Sequence, residues 1–208
     1  EAGTTRTEIP DEKLLRDYVG GYGVAARVLY DKMPGGVDPL GPEAIFGFFT
    51  GPLTGTPAPS GTRWGVFGKS PLTGTWGDAN GSGNFGPAMK MSGFDMIFFT
   101  GISPRPVYLL IRNGAAELRD AAELWGKDTY EMEEWVKAEH GDKAEAACIG
   151  TASEKLSLIS GVITLKGRAA GRSGLGAVMG SKKVKAVVAF LEGEVPVADL
   201  QAVRAAQR

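Results

Sequence analysis

The stretch Pro106-Val-Tyr-Leu-Leu-Ile-Arg-Asn-Gly-Ala-Ala-Glu-Leu-Arg119 sets the fold class. A run over 106–112 and a second over 116–119 flank Asn113-Gly114. Asn-Gly between two strand-forming runs is the strongest short hairpin signal, because both positions tolerate the positive φ of a two-residue turn. Working outward, further strands are predicted over 44–50, 63–69, 95–100, 144–149, 156–164 and 184–190, and residues 4–9 alternate as an edge strand would. Helices are predicted over 11–19, after Pro10 and with acidic residues in the first turn, and over 24–32 and 128–139. Gly20 and Gly21 separate the first two, a short helix fits near 84–91, and the tail over 198–207 reads as helical. Strands outnumber helices and come as hairpins rather than in strict strand–helix alternation, which predicts an α+β fold and not a doubly wound parallel sheet.

Composition excludes several classes of function. The 208 residues carry 23 basic and 24 acidic side chains for a net charge of -1, so nucleic acid is not an expected partner. No apolar run reaches the ~20 residues that span a bilayer, and no signal peptide pattern is visible. Cys148 is the only cysteine, which points to a reducing, cytoplasmic setting and rules out an internal disulfide. His140, the only histidine, precedes Gly141 and fits a cation at a helix end. One Cys and one His cannot build a zinc or iron–sulfur site from this chain alone.

Glycine is the outlier: 31 residues, roughly twice the usual ~7%. Three segments concentrate it. Residues 50–63 form a run of turn formers and hydroxyls ending on Arg63; 77–86 contain Asn80-Gly81-Ser82-Gly83 and lead into a helix; 166–183 contain Arg168, Ala169, Gly171 and Arg172. The string PLTGT occurs at 52–56 and again at 71–75, the same turn chemistry used twice. Such segments are ordinarily plain connecting loops. Equally, exposed backbone N–H groups and guanidinium forks suit a phosphate-bearing ligand. Neither dinucleotide nor P-loop spacing is present. The residues by themselves reach a phosphate cradle as one of two readings, and no metal or reaction.

Seven strings in order carry a resemblance over nearly the whole chain: LRDYVGGYGVAARVLYDKMPGGVDPLGPE (15–43), TGPLTGTPAPSGTR (50–63), KSPLTGTWGDANGSGNFGPAMKMSGFD (69–95), PVYLLI (106–111), ELRDAAELWGKDTYE (117–131), ACIG (147–150) and GRAAGRSGLGAVMGSKKVKAV (167–187). They resemble the N-terminal domain of the aldehyde ferredoxin oxidoreductase family. The resemblance implies a duplicated α+β base of two sheets, over residues 1–193, with 194–208 starting a linker or helix toward further domains. It implies a tungsten or molybdenum atom held by two pterins, whose phosphates meet at a magnesium ion. A [4Fe-4S] cluster, the aldehyde pocket and the contact with ferredoxin are implied for later domains. Relatives oxidise aldehydes to carboxylic acids, and others reduce aromatic acyl thioesters. A non-catalytic fragment or a stand-alone pterin-binding or assembly module is the competing class, and the resemblance leaves room for a homo-oligomer.

Matched position by position, the resemblance makes Arg63 a pterin contact. Asn80 and Ala169 become backbone-carbonyl ligands of magnesium, and Gly81, Ser82, Gly83, Arg168, Gly171 and Arg172 the surrounding cradle. The chain departs from the common family pattern at CIGTASEK (148–155), in the order Gly81-Ser82, and at Ala88, where Glu is common.

Overall fold

A computed structural model describes residues 3–206. In chain order its elements are α1 (Glu12–Tyr18), α2 (Gly21–Lys32), β1 (Phe46–Thr50), β2 (Trp64–Lys69), β3 (Trp76–Gly81), α3 (Phe85–Met91), β4 (Met96–Phe99), β5 (Val107–Arg112), β6 (Ala115–Asp120), α4 (Thr129–His140), β7 (Ala144–Cys148), α5 (Thr151–Glu154), β8 (Val162–Thr164), β9 (Arg168–Ala170), α6 (Leu175–Ser181), β10 (Val184–Phe190) and α7 (Leu200–Ala205). The strands form a four-stranded sheet, β3-β2-β1-β4, and a six-stranded sheet, β6-β5-β10-β7-β8-β9. All pairs are antiparallel except β10 with β5. The fold is α+β, and Asn113 and Gly114 both take positive φ at the tip of the β5–β6 hairpin.

A repeat lies inside this topology. The series α2-β1-β2-β3-α3-β4 and α4-β7-β8-β9-α6-β10 follow the same plan: a three-strand meander, then a helix, then a strand that returns beside the first. The long helices are each 12 residues and the short ones each 7. In the second repeat the β5–β6 hairpin extends the sheet beyond β10.

The two repeats are packed differently. Phe46, Phe48, Trp64, Phe67 and Phe85 are fully buried in the first. Glycines within its strands make room for the rings: a Cβ on Gly65 would stand 2.3 Å from Phe49 Cζ, and one on Gly47 2.5 Å from the Phe67 ring. These glycines serve ring packing and not turns. The second repeat buries Ala144, Ala147, Val187, Val188 and Ala189 instead. It also encloses an ion pair between Lys185 and Glu154. The Lys185 ammonium donates to Lys127 O (2.7 Å) and the Glu154 carboxylate accepts the Gly126 N–H (2.9 Å), so both buried charges are paired and hydrogen-bonded.

The structure corrects several expectations. Residues 4–9 form no strand; all are exposed, and an alternation with no apolar face has nothing to bury. Residues 1 and 2 and Gln207 lie outside the described residues, and the tail helix covers Leu200–Ala205. The second helix starts at Gly21 and not at 24, with Gly20 as its cap. The predicted strand over 156–164 shrinks to Val162–Thr164, because Leu156 takes φ 58 and the chain turns through Ser157–Ser160, closed by Ser160 Oγ on Ser157 O. The glycine-rich segments at 77–86 and 166–183 are not loops: they contain β3 with the start of α3, and β9 with α6. His140 ends α4, as expected; burial lowers its pKa, and Tyr108 Oη lies 3.4 Å from its Nε2.

Candidate functional site

β3 is the edge of one sheet and β9 the edge of the other, and these two edges meet. Ser82, just past β3, accepts from Arg168 Nη1 at 3.1 Å. Ser173 Oγ donates to Asp78 O at 3.0 Å. At Gly83, φ is +103 and a Cβ would stand 2.7 Å from Leu165 Cδ1 and 3.3 Å from Arg168 Cδ, so only glycine lets the two segments close up there. The equivalent turns of both repeats thus face one another. Asn80 lies five residues before α3, and Ala169 six residues before α6.

Along β3 the pleat sends Gly77, Ala79 and Gly81 inward and Trp76, Asp78, Asn80 and Ser82 outward. Each outward residue is held by a side chain. Trp76 Nε1 donates to Asp78 Oδ1 (2.8 Å), and Asn80 Nδ2 donates to Tyr22 Oη (2.9 Å). Asn80 Oδ1 accepts from Arg63 Nη1 (3.1 Å). Arg63 sits one residue before β2, and its carbonyl accepts from the buried Thr54 Oγ1 at 2.7 Å, so the first PLTGT turn fixes its backbone. The Asp78 carbonyl points out of the sheet, toward Ser173. Carbonyls two residues apart on a strand point the same way, so that of Asn80 also faces the free edge.

Three arginines without carboxylates gather at this seam. Arg6, Arg16, Arg27, Arg105, Arg112 and Arg119 each pair with a carboxylate. Among the described residues, the exposed Arg63, Arg168 and Arg172, and Arg204 in α7, pair with none: Arg63 and Arg168 meet only neutral side chains, and Arg172 meets no partner. Ala169 and Gly171 are exposed between them. The structure therefore brings all nine expected site residues to one seam. Among the described residues, no group of three or more His, Cys, Asp or Glu side chains is placed to hold a metal. The Cys148 thiol is no candidate either, since burial pushes its pKa up to about 12.

Sequence reasoning missed Tyr22, Asp78, Thr54 and Ser173. Tyr22 is the second residue of α2, with its ring 4.5 Å from that of Phe49, and reaches the seam from 58 residues away in sequence. Burial raises its hydroxyl pKa; the Asn80 hydrogen bond opposes the rise and the Asp78 charge adds to it. Only the alternation of Trp76, Asp78 and Asn80 could have signalled β3, and the glycines between them masked it.

Residues 1–190 match the family described as aldehyde ferredoxin oxidoreductase, N-terminal domain. The tungsten-containing aldehyde ferredoxin oxidoreductase of Pyrococcus furiosus is 42% identical over 200 residues, which cover 96% of this chain and 33% of that protein. The aliphatic sulfonate oxidoreductase, WOR-like subunit, of the same organism is 35% identical, covering 89% and 32%. Among solved structures, the active site complex BamBC of benzoyl coenzyme A reductase with 1,5-dienoyl-CoA superposes with a TM-score of 0.87 at 38% identity, over 91% of this chain and 29% of that one. This chain spans about a third of the length of the curated relatives it matches. On the strength of the match over residues 1–190 and identities above 40%, the chain belongs to the aldehyde ferredoxin oxidoreductase family and carries its N-terminal domain.

Proposed function

We propose that this domain holds a bis-pterin tungsten (or molybdenum) centre for an oxidoreductase that converts aldehydes to carboxylic acids and passes the electrons to ferredoxin. The single observation that carries the reading is the gathering of three unneutralised guanidiniums at the β3/β9 seam, where of the other described arginines six are paired with carboxylates and Arg204, in α7, is not. Three cations left without carboxylates, beside an outward carbonyl and small residues, fit a ligand that brings its own phosphate charge.

Arg63 and Arg168 would each offer a planar fork to a phosphate or pterin oxygen. Gly81, Ser82 and Gly83 on one side, and Gly171 and Arg172 on the other, would supply close backbone approach. The carbonyls of Asn80 and Ala169, at equivalent places in the two repeats, would supply the hard oxygen ligands that magnesium takes together with phosphate. The metal supplies the redox chemistry, while this chain binds and orients. Residues 1–193 would act as the base, with 194–208 leading toward domains that carry the [4Fe-4S] cluster, the aldehyde pocket and the ferredoxin contact. A second reading, a subunit that reduces aromatic acyl thioesters, is favoured by the 38% identity to the benzoyl coenzyme A reductase complex. The same cradle serves both readings.

Tungsten, molybdenum and pterin content per protein tests the cradle in the whole protein. Arg63→Ala and Arg168→Ala should each lose bound cofactor, by about 1.5–3 kcal/mol per charged hydrogen bond removed. Full content in both variants would end the reading.

A further inference from the structure

Nothing in the family pattern as matched above gives Tyr22 a role, yet it is tied into the seam. Asn80 uses both ends of its amide: Oδ1 takes the Arg63 guanidinium and Nδ2 goes to the Tyr22 hydroxyl. The Tyr22 ring is fixed against Phe49, whose own ring packs 6.1 Å from that of Phe67. Asp78, on the same face of β3, is anchored by Trp76 Nε1 and places its charge near the Tyr22 hydroxyl. The line Phe49–Tyr22–Asn80–Arg63 therefore runs from a buried aromatic to an exposed guanidinium.

Arginine carries ~2 kcal/mol of rotamer entropy, which an exposed side chain loses when it is held for a ligand. An amide that is itself oriented by a second hydrogen bond removes part of that loss in advance. An unheld asparagine could rotate to present its NH₂ to Arg63, which cannot accept it. With its own proton toward the Asp78 carboxylate, the Tyr22 hydroxyl accepts from the NH₂ and leaves the carbonyl oxygen for the guanidinium.

We infer that Tyr22 is a positioning residue for the cofactor cradle, acting through the Asn80 side chain to hold Arg63. The inference rests on the proposed cradle and assigns Asn80 a side-chain task besides its carbonyl. The second repeat supplies an internal control. Tyr130 occupies the same second position of its 12-residue helix, but Ala169 stands where Asn80 would be, and Tyr130 instead lies under Lys166 Nζ, 5.9 Å from the ring centroid. Only the first repeat can have this relay.

The test is tungsten and pterin content per protein, with the melting temperature, for the whole protein expressed with its cofactor. Tyr22→Phe keeps the ring and removes the hydroxyl. It should lower content about three- to tenfold, the range for one neutral hydrogen bond, with the melting temperature of cofactor-free protein unchanged. Tyr130→Phe should keep full content. In an Arg63→Ala background, adding Tyr22→Phe should cause no further loss, because its effect passes through the missing side chain. Asn80→Ala sits on an exposed face and retains the carbonyl; it should match Tyr22→Phe, and it decides the matter if Tyr22→Phe fails to fold. Arg63→Ala depleted with Tyr22→Phe and Asn80→Ala at full content overturns the positioning role and leaves the cradle standing. Losses from Tyr22→Phe and Arg63→Ala that add in full also overturn it. Full content in Arg63→Ala removes the cradle and the relay together.

Discussion

In the first repeat the strands carry Phe46, Phe48, Phe49, Trp64 and Phe67, with glycines placed beneath the rings; in the second, the corresponding strands carry alanines and valines around the Lys185–Glu154 pair. The order of elements is the same. The wiring at the seam differs as well: Arg63 is held through Asn80 and Tyr22, whereas Arg168 has only the Ser82 hydroxyl and follows a turn in which Leu165 and Lys166 both take positive φ. One backbone plan can thus be filled by rings and glycines or by small aliphatics and a buried charge pair. What stays common is the place where the two edge strands meet. Four changes set one half against the other.

The largest expected effect is in the second repeat. Glu154→Ala leaves the fully buried Lys185 without its carboxylate and should destabilise the fold by about 3–5 kcal/mol, read by denaturant unfolding. Replacing the pair together, Lys185→Met with Glu154→Leu, should recover most of this loss; an equally severe loss in the double variant would show that the pair does more than neutralise itself.

Next comes the cradle itself. Arg63→Ala should deplete the cofactor more than Arg168→Ala, since the first guanidinium is oriented in advance. Arg63→Lys should not rescue, because an ammonium cannot reproduce the fork. Equal depletion by the two alanine variants would erase the asymmetry between the repeats.

In the first repeat, Gly65→Ala drives a methyl to 2.3 Å of Phe49 Cζ and 2.9 Å of Ala79 O. Overpacking of this kind costs about 1–3 kcal/mol, and it displaces the ring on which Tyr22 rests. A neutral result in thermal unfolding would mean that the aromatic layer is looser than its contacts.

The smallest effect separates the ends of the two long helices. Lys32 ends one and pairs with Glu8; His140 ends the other, beside Tyr108. The folded pKa of His140 is lowered, so the folded state takes up a proton less readily than the unfolded chain. Its contribution to stability is therefore complete above the ordinary histidine value of about 6.5 and is lost as pH falls below it through the lowered folded value. His140→Gln should flatten that part of the stability-versus-pH curve, and an unchanged slope would assign it to carboxylates.

The sequence made the hairpins, the long helices and the general α+β class readable, because Asn113-Gly114 and the helical periodicities act locally. It hid β3, β9 and α6. There, glycines chosen for rings and close strand approach looked like glycines chosen for turns: Gly77 and Gly81 lie on the inner face of β3, while Gly174 caps and Gly176 and Gly180 sit inside α6. Ser157–Ser160 has the pattern of a strand because its apolar residues mask a turn. The arginines of the seam were legible from family resemblance. Tyr22 was not, because its contact depends on how α2 packs across β1, which no local pattern encodes.

The most direct test of the central claim is the structure of the whole protein isolated with its cofactor. The account predicts pterin phosphate density between β3 and β9, within hydrogen-bond reach of Arg63 and Arg168, with one magnesium ion accepting the carbonyl oxygens of Asn80 and Ala169. Pterin density seated away from this seam, or magnesium held by side chains alone, would contradict it.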